Sequence, residues 1–124
     1  MDRPHDVRQH ACDQGRHRPL IHKAYLDELA NAYAPPSIDR RDPLISPLFA
    51  DLASLPPVLI QVGSAETLLA DASRLAEAAG AADVDVTLQI WPHMIHAWPV
   101  WNAGLRDGRR ALVYAGQFIR AHIR

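Results

Sequence analysis

Two apolar segments with strand character, joined by one helical stretch, limit what this chain can fold into. Val58-Leu59-Ile60-Gln61-Val62 is short, continuous and β-branched, the pattern of a strand covered on both faces. Gly63-Ser64 ends it. From Thr67 to Ala82 the residues Leu68, Leu69, Ala72, Leu75, Ala76 and Ala79 form a helical stripe, with Asp71, Arg74 and Glu77 on or near the opposite face. Val84, Val86, Leu88 and Ile90 then alternate with Asp85, Thr87 and Gln89. That period of two predicts a second strand over 84–91, one face buried and the other partly polar. Residues 58–91 therefore read as one βαβ unit, and a right-handed crossover makes its strands parallel. Parallel strands are normally buried on both faces, and a two-stranded parallel sheet is too little for a domain of its own. The chain reads as the closing part of a larger α/β fold.

Around that unit the sequence supplies helices but no further strand. Residues 20–34 place Ile21, Tyr25, Leu29, Ala32 and Tyr33 three and four apart, one face of a helix that stops at Pro35-Pro36. Six of the ten prolines fall between Pro35 and Pro57, including Asp42-Pro43, Ser46-Pro47 and Pro56-Pro57, a composition for turns and extended loop. So long a loop inside a compact domain is usually functional or packs over a larger neighbour. Leu105, Leu112, Val113, Gly116, Ile119 and Ile123 predict an amphipathic helix over 102–123, with arginines at 106, 109, 110 and 120 outside it. Residues 1–19 hold four arginines, three histidines and almost no apolar side chains. They can bury too little surface to order themselves and are expected to be a disordered polar lead-in, leaving 20–124 as the domain.

Composition narrows the function classes. Lys and Arg number 13 against 14 Asp and Glu, so there is no basic excess for a phosphate backbone and no nucleic acid partner is expected. The single cysteine, Cys12, cannot form an internal disulfide, and no apolar run approaches the ~18 residues that span a bilayer. With no apolar stretch near its start to act as a secretion signal, the chain is expected to be cytoplasmic.

Open α/β sheets hold ligands and catalytic groups just beyond the carboxyl ends of their strands. Here those positions carry Gly63-Ser64-Ala65-Glu66 and Trp91-Pro92-His93-Met94-Ile95-His96-Ala97-Trp98. One segment brings a carboxylate and the other brings imidazoles. An acid that orients a histidine is the back half of a nucleophile–His–acid triad, where it fixes the tautomer and stabilises the imidazolium formed during proton transfer. The front half needs an activated Ser or Cys.

Four segments resemble the hormone-sensitive-lipase-like branch of the α/β-hydrolases: Arg41-Asp42-Pro43-Leu44-Ile45-Ser46-Pro47-Leu48, Leu55-Pro56-Pro57-Val58-Leu59-Ile60-Gln61-Val62-Gly63, Leu68-Leu69-Ala70-Asp71 and Trp91 to Trp98. The resemblance runs from about Leu20 to Ile123 and implies the C-terminal part of a three-layer αβα α/β-hydrolase fold. It implies a serine carboxylesterase or lipase acting on a small-molecule ester, with triad order Ser, acid, His and with no cofactor or metal. By that match His96 corresponds to the catalytic base. The family has Asp directly after the Gly-Ser pair, where this chain has Ala65. Glu66 is the nearest replacement, one methylene longer and still able to accept the Nδ1 hydrogen bond. Asp71 matches a recurring family aspartate and is the alternative acid, though its place inside the helix suits a structural hydrogen bond better.

The family's His-Gly-Gly oxyanion loop and Gly-x-Ser-x-Gly elbow do not occur here. Serines stand at 37, 46, 54, 64 and 73, and none has glycine two residues to either side. The resemblance thus implies the acid and histidine of a triad without their nucleophile, and a chain inactive alone. The competing expectation is a non-catalytic remnant or interaction module that packs on another chain, with a sheet edge at Val58 to Val62 open to self-association.

Other candidates carry less. His93, three residues before His96, has no matching Cys or His pair for a metal, and the spacing of His10, Cys12, His17 and His22 fits no zinc pattern. Trp91, Trp98 and Trp101 suit an acyl pocket or packing of the histidine loop equally well. Gly63-Ser64 after a strand is far from a phosphate-loop signature.

Overall fold

The computed structural model describes residues 21–123; the lead-in 1–19 lies outside the described residues. The two apolar segments pair as predicted. Strands β1 (Val58–Gly63) and β2 (Val86–Trp91) run parallel, Val58 opposite Val86 and Gly63 opposite Trp91, in the one sheet among the described residues.

Successive strand residues face opposite sides, so this register divides the sheet into two faces. On one face Val58 and Val86 pack with Leu75, Ala78 and Ala79 of helix α2 (Leu69–Ala81), together with Leu52 and Val84. On the other, Trp91 packs with Leu105 and with Ala111 of helix α3 (Arg106–His122). Two glutamines of that second face are tied under α3, where Gln61 Nε2 donates to Gln89 Oε1 and to the Ala111 carbonyl, both at 2.9 Å. A helix on each side of a parallel pair makes three layers, the α/β/α arrangement that the sequence predicts.

Boundaries differ where local chemistry overrides periodicity. The second strand begins at Val86 rather than 84 because α2 ends in a Schellman motif: Asp83 takes φ 61°, its N–H donates to the Gly80 carbonyl, and Val84 N–H donates to the Ala79 carbonyl, both at 3.1 Å. Val84 is the apolar residue that closes this cap against Ala79 and Leu52. The last helix begins at Arg106 rather than 102. A 3-10 helix, Trp98–Trp101, precedes it, and the turn between them is tied by Asn102 Nδ2 to the Pro99 carbonyl at 3.0 Å and by Arg109 Nη1 to the Asn102 carbonyl at 2.8 Å.

Helix α1 (Lys23–Tyr33) forms where its spacing predicts, with His22 Nδ1 accepting from the Tyr25 N–H at its start. Its apolar stripe stays open: Tyr25, Leu29 and Tyr33 are all exposed. The proline-rich stretch after it is ordered by three Asx turns, in which Asp39, Asp42 and Asp51 each accept from the N–H two residues on. It contains a 3-10 turn, Pro47–Phe49, and anchors to the α2 face through Leu52.

Candidate active site

Parallel pairing brings the carboxyl ends of β1 and β2 to the same end of the sheet, and the segments that leave them are joined there by backbone bonds. Ser64 N–H donates to the Trp91 carbonyl at 2.9 Å, and Ala65 N–H to the Met94 carbonyl at 3.1 Å. His93 N–H donates to Ser64 Oγ at 2.8 Å, with His93 itself at φ 61° in the turn that Met94 N–H closes on the Trp91 carbonyl.

Gly63 makes that junction sterically feasible. A Cβ on it would lie 2.0 Å from the Met94 carbonyl oxygen. Its φ is not positive, so close approach rather than a left-handed backbone requires the glycine.

Glu66 and His96 meet across the junction. Glu66 Oε1 lies 3.4 Å from His96 Nδ1, while Oε2 accepts from the Gly63 N–H at 3.0 Å. The Glu66 side chain is 7% exposed and that of His96 35%, so the acid is buried and the imidazole opens to solvent. A buried carboxylate is tolerable only with partners, and these two contacts supply them. The 3.4 Å separation is long for an acid–imidazole bond. With the carboxylate facing Nδ1, the proton of a neutral ring belongs on Nδ1 and the lone pair on Nε2.

The imidazole is fixed from both sides along the chain. Before it, Met94 is bonded to Ala65; after it, Ala97 turns at φ 56° into Trp98, which is 2% exposed. Trp98 packs on Trp91 with centroids 5.8 Å apart, and both belong to the cluster of Leu105 and Ala111. These two tryptophans therefore anchor the histidine loop, the packing alternative left open by the sequence, whereas Trp101 is half-exposed.

The remaining sequence candidates lie apart. Asp71 sits exposed in the first turn of α2, without a hydrogen bond or ion pair among the described residues. His93 is exposed, His22 caps α1, and no cluster of three or more potential metal ligands occurs among the described residues. His10, Cys12 and His17 lie outside those residues. The amides of Gly63, Ser64 and Ala65 are all occupied by protein acceptors, so this turn offers no phosphate cradle. Sequence reasoning missed the Gly63 amide and the Ser64 hydroxyl as parts of the site. The available signal was a glycine ending a β-branched run three positions before an acid.

Residues 2–100 match the family described as alpha/beta hydrolase fold, a match that takes in the polar segment before residue 20. An acetyl-hydrolase of Streptomyces hygroscopicus is 46% identical over 101 residues, 82% of this chain and 33% of the relative. An esterase of Acinetobacter venetianus is 37% identical over 103 residues, 83% of this chain and 34% of the relative. The crystal structure of a hormone-sensitive lipase from a metagenome library superposes with a TM-score of 0.79 at 41% identity, covering 84% of this chain and 35% of that one. The chain spans about a third of the length of the relatives that it matches.

Proposed function

The chain belongs to the alpha/beta hydrolase fold family, in its hormone-sensitive-lipase-like branch, and on that premise we propose that Glu66 and His96 are the acid and base of an ester-hydrolysing triad. One observation carries this: Glu66 Oε1 lies 3.4 Å from His96 Nδ1 at the shared carboxyl end of the two strands. His96 Nε2 takes the proton of a serine hydroxyl as that oxygen attacks the ester carbonyl carbon. The proton passes to the leaving alcohol, and water then hydrolyses the acyl-serine by the same route. Glu66 stays ionised and stabilises the imidazolium.

The relatives are an acetyl-hydrolase and an esterase, so a short-chain carboxylic ester is the substrate class we assign. No serine of this chain sits in a Gly-x-Ser-x-Gly elbow. Nucleophile and oxyanion donors then belong to polypeptide beyond these residues, and the chain by itself is inactive. We assign it to the cytoplasm on its lone cysteine and on the absence, among the described residues, of a helix long and apolar enough to cross a membrane.

The test is hydrolysis of p-nitrophenyl acetate by the purified chain beside its His96→Ala variant. Both are expected at the background rate. Turnover that His96→Ala abolishes would mean that a nucleophile resides in the chain after all. A second reading, a module that packs on another protein without catalysis, draws on the exposed Tyr25, Leu29 and Tyr33 of α1 and Val113, Ile119 and Ile123 at α3.

A further inference from the structure

The chain has two methionines, and Met94 is the one among the described residues. It stands two positions before the candidate base, partly buried, with its side chain against the cluster of Trp91, Trp98, Leu105 and Ala111. Its backbone is clamped on three sides. Met94 N–H donates to the Trp91 carbonyl at 3.3 Å, and its own carbonyl accepts from Ala65 N–H at 3.1 Å and lies 2.0 Å from where a Cβ on Gly63 would stand. The loop has no slack there, so a Met94 side chain that repacks moves Ile95 and His96 with it or breaks these bonds.

The same cluster holds two donors without an acceptor. Trp91 is 8% exposed and Trp98 2%, and neither indole Nε1 has a hydrogen-bond partner among the described residues. Such groups are rare in a folded interior, because each gives up its hydration and gains no bond in its place. A thioether is a weak acceptor, and the Met94 sulfur bonds to neither indole as it sits. A sulfoxide oxygen is a polar acceptor.

We propose that Met94 is a redox modification site beside the candidate base: a hydroperoxide converts its thioether to the sulfoxide, the new oxygen accepts from the indole N–H of Trp91 or Trp98, and the repacking draws His96 away from Glu66. This rests on the acid–base role given to those two residues above. The sulfur lone pair attacks the terminal oxygen of the hydroperoxide. An S–O bond forms as the O–O bond breaks, and the proton of the transferred oxygen passes to the departing one, which leaves as water or an alcohol. Sulfur is oxidised and the peroxide reduced. The partly buried side chain admits an oxidant as small as hydrogen peroxide, and the two indoles offer the product a bond that the thioether lacks. The 3.4 Å contact between Glu66 Oε1 and His96 Nδ1 is long already, so a shift of about 1 Å ends it.

Hydrogen peroxide is added to the full chain, and oxidation at each methionine is followed by mass spectrometry beside NMR. Met94 is expected to gain one oxygen, one indole N–H proton to move downfield with exchange slowed by about 10-fold or more, and the neutral His96 ring to pass from the Nδ1–H form to a mixture of tautomers. Methionine sulfoxide reductases with a dithiol are expected to restore the starting spectrum. A Met94→Leu chain, close in volume, is expected to keep that spectrum before and after peroxide, which separates Met94 from Met1. Met94 left reduced while Met1 is oxidised overturns the proposal. So does a Met94 sulfoxide that leaves the His96 tautomer or both indole protons unmoved, and so does a peroxide response that survives Met94→Leu. A reduced chain whose His96 already lacks the Nδ1–H form refutes the acid–base role before any peroxide is added, which keeps the two failures distinct.

Discussion

Replacing Gly63 by alanine is expected to destabilise the chain by about 2–4 kcal/mol. The added Cβ would stand 2.0 Å from the Met94 carbonyl oxygen and 2.6 Å from its carbon, backbone atoms that cannot rotate aside, and 3.2 Å from Glu66 Oε2. Non-bonded contacts of this kind settle near ~3.5 Å, so the Met94 segment must retreat by more than ~1 Å. That retreat breaks the 3.1 Å bond from Ala65 N–H to the Met94 carbonyl. A hydrogen bond of this type contributes about 1 kcal/mol, and overpacking adds about 1–3 kcal/mol.

Gly80→Ala is the internal control. It lies in α2 with no atom within 4 Å of its would-be Cβ. It should stabilise by about 0.5–1 kcal/mol through helix propensity and a stiffer unfolded chain. Urea unfolding followed by tryptophan fluorescence reads both, because Trp91 and Trp98 are buried beside the site. At a slope of about 1–3 kcal/mol per molar urea, the Gly63→Ala midpoint falls by about 1 M or more and the Gly80→Ala midpoint rises by a few tenths. A Gly63→Ala chain within about 0.5 kcal/mol of the parent, alongside a normal Gly80→Ala response, would refute the close approach of the two loops.

Glu66→Gln is expected to shift the neutral His96 ring away from the Nδ1–H tautomer, since an amide turned to keep the Gly63 bond offers a donor rather than an acceptor to Nδ1. Long-range nitrogen–proton NMR correlations read this, and an unchanged tautomer would remove Glu66 from its orienting role. Asp71→Asn should leave the same spectrum untouched. Gln61→Ala removes two bonds of 2.9 Å, one to Gln89 Oε1 within the sheet and one that holds the Ala111 carbonyl of α3 to it. It should cost about 1–3 kcal/mol and speed amide exchange in α3, and exchange confined to its parental rate would show that Gln61 does not anchor that helix.

What could be read from residue order alone follows from how local each signal is. The βαβ unit is encoded in contiguous patterns of period two and 3.6, and those patterns survive whatever else surrounds them. The Glu66–His96 meeting was readable as well, because parallel strands place their following loops at one end of the sheet whatever the loop sequences are. Asp83 in a left-handed conformation was not, since it gives up a strand position at Val84 to close a helix, and its composition looks like any polar turn. Nor was the demand for glycine at 63, which is set by a carbonyl 31 residues later in the chain. The stripe of α1 shows the opposite failure. Its periodicity correctly announces a helix, yet Tyr25, Leu29 and Tyr33 find no cover among the described residues, because amphipathicity states that a partner is needed without saying where it lies.

The acid–base pair is more self-contained than the fold around it. Each contact that sets it lies within residues 63–66 and 91–98: the Gly63 amide on Oε2, the Ala65 and Ser64 bonds to the other loop, and Trp98 against Trp91. None of them reaches across the open edge of β1. Two parallel strands therefore suffice to orient a histidine by a carboxylate, although they are too few to bury a sheet.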